Sequence, residues 1–289
     1  LEVRHRTEYR YRQPVILGEH RLMSRPRDSH DLRLLETSLT VAPPPETVRW
    51  IHDVFGNSIA VTSFSDKSSA LVFESSFRVE HFPVPTDVEW IEPYARELPF
   101  NYSREDSVDL ARTKERQYPD ERHEVDEWVK RHLDLNADRN TLNALIRLNT
   151  AIRDEFRYLR REEMGVQVPT ETLALGSGSC RDFAVFMMEA VRCLGLAARF
   201  VSGYLYDERL IGSAPGLVGS GATHAWLQVY LPGAGWVEFD PTNALVGGAN
   251  LIRVAVARDA AQAAPLAGEF IGEPGDFVAM NVSVEVRAQ

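Results

Sequence analysis

Cysteine, histidine and aspartate together can supply a nucleophile, a base and a group that orients the base, and this chain of 289 residues carries Cys180, His224 and Asp240 in that order. Cys180 stands where the Gly/Ser turn Gly176–Ser179 runs into the apolar stretch Phe183–Met188. Such a turn lets backbone approach a ligand closely, and a helix start aims unpaired N–H groups and a positive dipole end at whatever sits there. A thiol in that setting ionises more readily than a free one, whose pKa is about 8.5. Alone, a cysteine at a helix start reads as a small core residue. Its support lies downstream.

Thr223-His-Ala-Trp226 opens the strand-like run to Leu231, and after a Pro232-Gly233 turn Gly235-Trp236 leads through Phe239 to Asp240-Pro-Thr-Asn243. These are two strands of a hairpin. Antiparallel neighbours joined by a short turn bring the start of the first beside the end of the second, which predicts that His224 and Asp240 are close. A base and its orienting carboxylate need that geometry. Taken singly, Asp240 before a proline reads as a strand terminator and His224 as an ordinary strand histidine.

A helix over Thr141 to Tyr158, with Leu145, Leu148, Ile152 and Phe156 near one face, precedes the Cys180 helix, which ends near Leu194-Gly195. Residues 1–12 alternate apolar and charged, a half-buried strand. Further strand-like runs are Leu34–Val41, Thr47–Val54, Ser58–Phe64 and Leu71–Phe82, with Gly56-Asn57 as a turn signal. The reading is an α+β chain in four parts. Residues 1–85 form an antiparallel, sandwich-like β module; 86–138, rich in proline and charge, a linker with short helices; 139–250 the core; and 251–289 strands that pack back on the β module. The Gly/Ser-rich stretch Gly212–Gly221, just before His224, could cover a site or merely connect.

Composition excludes some partners. With 44% hydrophobic and 26% charged residues the chain is globular in kind, and a formal net charge of −10 without a basic stripe argues against nucleic acid. No apolar run reaches the length of a membrane span and no signal-type segment opens the chain, although a start at Leu1 is compatible with a removed leader. Cys180 and Cys193 fall on one helix, roughly 20 Å apart at the helical rise, beyond disulfide reach. That fits a reducing compartment, so the expected location is the cytoplasm. Cys193, deep in the helix, reads as an inert core thiol. Asp182 reads as an acid favoured by the helix dipole, and Trp226 and Trp236 as packing residues. The cysteines and scattered histidines form no zinc set and no aspartate-rich run suggests a calcium loop, so neither metal nor cofactor is expected.

The motifs Gly178-Ser-Cys180-Arg-Asp-Phe-Ala184, Arg199-Phe-Val-Ser-Gly-Tyr204, Thr223-His-Ala-Trp226 and Phe239-Asp-Pro-Thr-Asn243 resemble the transglutaminase-like superfamily, a group within the papain-like thiol enzymes. The likeness covers about residues 140–245; the β module and tail resemble, more loosely, the flanks of bacterial members with an N-terminal β domain. One departure is Gln228, where relatives usually carry glutamate, which bears on surface specificity rather than chemistry. The resemblance implies a papain-like transglutaminase core with Cys180 as nucleophile, His224 as general base and Asp240 as the residue that fixes the imidazole. The Cys180 backbone N–H would be one oxyanion donor, with Tyr158 and Trp226 as candidates for the second. The implied reaction is thiol-dependent acyl transfer on amides of a protein or peptide substrate, through a thioester that passes to water or an amine. A different class of function on the same fold is a silent peptide- or protein-binding module; another is an enzyme active only with a partner bound to its β module.

Overall fold

A computed structural model describes residues 1–83, 87–161, 163–206 and 221–288; the stretch 212–220, expected to flank the site, lies outside these. The chain opens with β1 (Glu2–Arg25), β2 (Leu32–Ala42), β3 (Thr47–His52), β4 (Ser58–Ser63) and β5 (Lys67–His81). Helices α1 (Arg104–Asp109), α2 (Ala111–Lys114), α3 (Glu124–His132) and α4 (Thr141–Glu155) follow. Next come β6 (Arg157–Tyr158), α5 (Pro169–Leu175), β7 (Ser177–Gly178), α6 (Cys180–Cys193), β8 (Ala198–Leu205), β9 (Thr223–Leu231), β10 (Gly235–Asp240) and β11 (Leu245–Val246). The last strands are β12 (Leu251–Ala257), β13 (Leu266–Ile271) and β14 (Phe277–Arg287).

The fold is α+β. Its β module is one curled antiparallel sheet in the order β2-β5-β1-β4-β3, with β13 and β14 also paired to β1. In β1 the alternation buries Val3, His5 and Thr7 and exposes Arg4, Arg6 and Arg10. The strand runs well past residue 12, because the ladder to β5 breaks register between Arg10 and Val15, and Pro14, which has no N–H to donate, falls in that break. Bent there, β1 pairs with β5 and β14 along its first half and with β4 and β13 along its second. The bend wraps the sheet around Tyr11, Val15, Leu17, Leu71 and Phe73, which gives the sandwich-like packing.

The core sheet runs β11-β10-β9-β8-β12. Helix α6 lies against it, packed between Ala225, Leu227 and Val229 of β9 and Leu145, Leu148 and Ile152 of α4. The charged stretch read as a linker is part of this core: Ile91, Leu98, Tyr102 and Trp128 are buried in it. Trp128 sets its ring edge-on to Phe186 of α6 at 4.9 Å and donates its indole N–H to Glu155 at 2.9 Å. Strand β12 likewise belongs to the core and not to the returning tail, since it closes the edge of β8 from Leu251↔Leu205 to Ala257↔Phe200. An unpaired β8 edge would leave a row of backbone groups without partners.

The two parts meet through buried side chains. Val3, Phe77 and Val79 of the β module pack on Tyr204, Ile252 and Val254 of the core sheet. His5 Nδ1 lies 2.8 Å from the Tyr204 hydroxyl, and burial lowers the His5 pKa to about 4, so the contact is between neutral groups at neutral pH. In the turn after β3, Asp53 accepts the N–H groups of Phe55 and Asn57, and Gly56 takes the left-handed φ of 74° that closes it. Asn57 then meets β12 as a strand residue would: its amide donates to the Val256 carbonyl at 2.7 Å and accepts the Val256 N–H at 2.9 Å.

Candidate active site

The start of α6 is held by one carboxylate. Asp182 Oδ2 accepts the Ser179 backbone N–H at 2.7 Å and the Ser179 hydroxyl at 2.8 Å, while Oδ1 accepts the Gln167 N–H at 2.7 Å and the Arg161 guanidinium at 2.8 Å. Burial of an acid is tolerable when every lone pair is used and a cation is paired to it. Asp182 is therefore the organiser of the turn that presents Cys180, a larger role than a dipole-favoured acid. The pattern Ser179-x-x-Asp182 is the sequence signal of a capping box and could have shown it. Gly178 must be glycine, because a Cβ there would sit 2.9 Å from Asp182 Cβ and 3.0 Å from Gln167 Oε1. On the other side of the turn the short parallel pair β6–β7 sets Tyr158 opposite Gly178.

His224, second in β9, lies opposite Gly203 of β8, and Asp240 ends β10. Glycine at 203 is again required, since a Cβ would collide with the Ile252 carbonyl and the Trp226 ring. The hairpin brings the expected pair together: His224 Nε2 lies 2.9 Å from Asp240 Oδ2, with both side chains 0% exposed. Asp240 is fixed in turn by the Thr242 N–H on Oδ1 at 2.9 Å and the Asn243 amide on Oδ2 at 2.8 Å. Asn243 went unrecognised in the sequence, although it closes the Asp-Pro-Thr-Asn motif.

The second ring nitrogen, Nδ1, is buried and has no aligned hydrogen-bond partner among the described residues. Cys180, buried at 7% exposure, acts on the same imidazole through hydrogen bonding and charge. Burial alone would lower the histidine's pKa. The Asp240 charge and hydrogen bond, joined by hydrogen bonding and charge from Cys180, outweigh that and push it up to about 10. Burial likewise opposes the charge on Asp240, yet His224, Asn243 and the Thr242 N–H hold its pKa below the usual carboxylate value. Both shifts run in the direction that favours the charged forms of the pair. The site thus gathers a buried thiol, an imidazole and a carboxylate, the residue types of a thiol nucleophile and its base.

The two further candidates separate. The Tyr158 pKa rises to about 12, first through burial and then through the Cys180 charge, so its hydroxyl keeps its proton at neutral pH. Trp226 is already committed. Its indole N–H donates to Glu238, and its ring stacks on His224 with centroids 6.0 Å apart, so it has no donor left for an oxyanion. Gln228 is buried rather than on the surface, bridging Glu238 and Arg199. Cys193 stays apart from the site, its pKa pushed up to about 12 by burial. Among the described residues no group of three or more His, Cys, Asp or Glu side chains is placed to hold a metal ion.

The sequence pattern of the transglutaminase-like superfamily matches residues 127–241, the span from α3 through α6 to Asp240. The core of this chain is thus similar in sequence to that superfamily. Residues 1–80, the β module, match the bacterial transglutaminase-like N-terminal region. An uncharacterized protein of Mycobacterium tuberculosis is 29% identical over 98% of this chain and 91% of its own length. An uncharacterized protein of Mycobacterium leprae is 38% identical over 33% of each chain. A crystal structure described as "a Putative Cysteine Protease" from Cytophaga hutchinsonii superposes with a TM-score of 0.71, covering 98% of this chain and 90% of that one at 19% identity. The whole two-part architecture, not the core alone, is therefore a shared fold.

Proposed function

We propose that this transglutaminase-like protein is a thiol-dependent amidase or peptidase in which Cys180, His224 and Asp240 act together. The observation that carries the reading is the buried imidazole of His224, tied through Nε2 to Asp240, with Nδ1 left unpartnered among the described residues and Cys180 acting on the same ring. The Cytophaga structure, described as "a Putative Cysteine Protease" and alike in fold, points the same way.

In the first step the Cys180 thiolate attacks the amide carbon and the S–C bond forms. The C–N bond then breaks as the His224 imidazolium gives its proton to the leaving amine. A pKa near 10 keeps that proton available at neutral pH. In the second step water adds to the thioester, the C–S bond breaks, and the proton lost by water returns through His224 to the pair. Asp240 holds the imidazole in orientation and offsets its charge throughout. The Cys180 N–H at the start of α6 faces the developing oxyanion, and Tyr158 is the second donor. An amine in place of water would give transamidation by the same atoms.

The substrate is a protein or peptide amide, and the working enzyme needs Cys180 reduced, which suits the cytoplasm. The test is a peptide-amide library assayed for released amine, with intact-mass detection of a thioester on the wild type. A covalent acyl adduct that maps to Cys180 and is missing from Cys180→Ala is the expected result. Turnover that survives in Cys180→Ala contradicts the reading.

A further inference from the structure

A cavity of about 400 Å³ lies between the β module and the core sheet, and none of the three proposed catalytic side chains lines it. Its β-module wall includes Arg27, Asp28 and Asp31; its core wall includes Arg199, Trp236 and Glu238. The volume falls within the usual range for small-molecule sites, about 300–1,000 Å³.

The charges in its walls are unequally matched. Arg253 is fully engaged, with Nη1 on Glu238 at 2.7 Å and Nη2 on both Asp31 oxygens at 3.1 Å. Glu238 accepts from Trp226, Gln228 and Arg253, so both of its oxygens are engaged. Arg199 is different. Its Nε donates to the neutral Gln228 at 2.7 Å, its guanidinium lies 4.1 Å from the centre of the Trp236 ring, and among the described residues it forms no ion pair with a carboxylate. Burial, followed by repulsion from Arg253, pulls its pKa down to about 9, the mark of a cation short of compensating charge.

We infer that this cavity is a binding site for a small carboxylate, held by the terminal nitrogens of Arg199 against the Trp236 face. With Nε taken by Gln228, the two terminal nitrogens form a planar fork of the spacing that a carboxylate meets with two parallel hydrogen bonds. The stack on Trp236 and the bond from Gln228 hold that fork in one orientation, so little side-chain freedom is lost on binding. The cavity is of a size for an acylated amino acid.

Calorimetric titration of the full chain with N-acetylglycine, with its neutral amide and with inorganic phosphate tests the assignment. N-acetylglycine should bind, and the amide should bind at least about tenfold more weakly, the factor expected when a charged hydrogen-bond pair is lost. Arg199→Lys, which keeps the charge but loses the fork, should weaken the acid by about tenfold. Gln228→Glu seats a carboxylate on Arg199 from within the fold and should abolish binding. Cys180→Ala should bind as the wild type does, which separates this site from the proposed chemistry. Equal affinity for acid and amide in the wild type, a result that needs no variant to fold, overturns the inference. So does preference for phosphate, or binding unchanged in Gln228→Glu.

Discussion

Asp240 Oδ2 is shared between His224 Nε2 at 2.9 Å and the Asn243 amide at 2.8 Å. One carboxylate oxygen therefore carries both the imidazole and the side chain that keeps the carboxylate in place. Asn243→Ala leaves the thiol and the imidazole untouched but frees Asp240 to turn. Loss of one such bond costs about 0.5–1.5 kcal/mol, or up to about tenfold in rate. Steady-state kinetics on a peptide amide should show this fall in kcat with KM little changed, and thermal stability should fall by no more than that amount.

Asp182 bears on folding before chemistry. Asp182→Ala removes the acceptor of four hydrogen bonds and takes from the mostly buried Arg161 guanidinium its closer carboxylate, leaving, among the described residues, only Glu163 at 3.7 Å. Breaking a buried pair from one side costs about 3–5 kcal/mol. Urea unfolding should show a loss of that order; a loss below about 1 kcal/mol would contradict the organising role given to this residue.

The His224–Asp240 pair fixes the sign of a pH dependence. The folded His224 pKa is raised, so its contribution to stability is complete below about 6.5, its unfolded value, and is lost as pH rises toward about 10. The folded Asp240 pKa is lowered, so its contribution is present above about 3.9 and is lost as pH falls below that. The stability difference between wild type and Asp240→Asn should therefore be largest between about pH 4 and 6.5 and shrink on either side. Unfolding curves across pH 3 to 10 measure it; a difference that is flat with pH would show that the pair is not ionised in the folded protein.

Much of the site was legible because its parts are local. A Gly/Ser turn into an apolar helix marks Cys180, and hairpin geometry alone places His224 beside Asp240. What stayed hidden depends on cross-strand register and on packing between distant segments. Arg199, Gln228 and Glu238 meet because β8, β9 and β10 lie side by side in one register. Nothing in the single runs shows that Gln228 is buried. Residues 86–138 looked like a linker because Ile91, Leu98, Tyr102 and Trp128 are isolated anchors among prolines and charges, without the period that reveals a buried face. Strand β12 had the right pattern for a strand, but a pattern of period two does not say which sheet the strand joins.

Site-resolved alkylation of the two cysteines against pH tests the central claim most directly, with His224→Ala beside the wild type. Cys193, whose pKa burial pushes up to about 12, serves as the unreactive control in the same molecule. Paired with His224, Cys180 should label faster than a free thiol below neutral pH, and the advantage should fall away in His224→Ala. Labelling of Cys180 no faster than a free thiol, with the same rate in the variant, would contradict a thiol activated by His224.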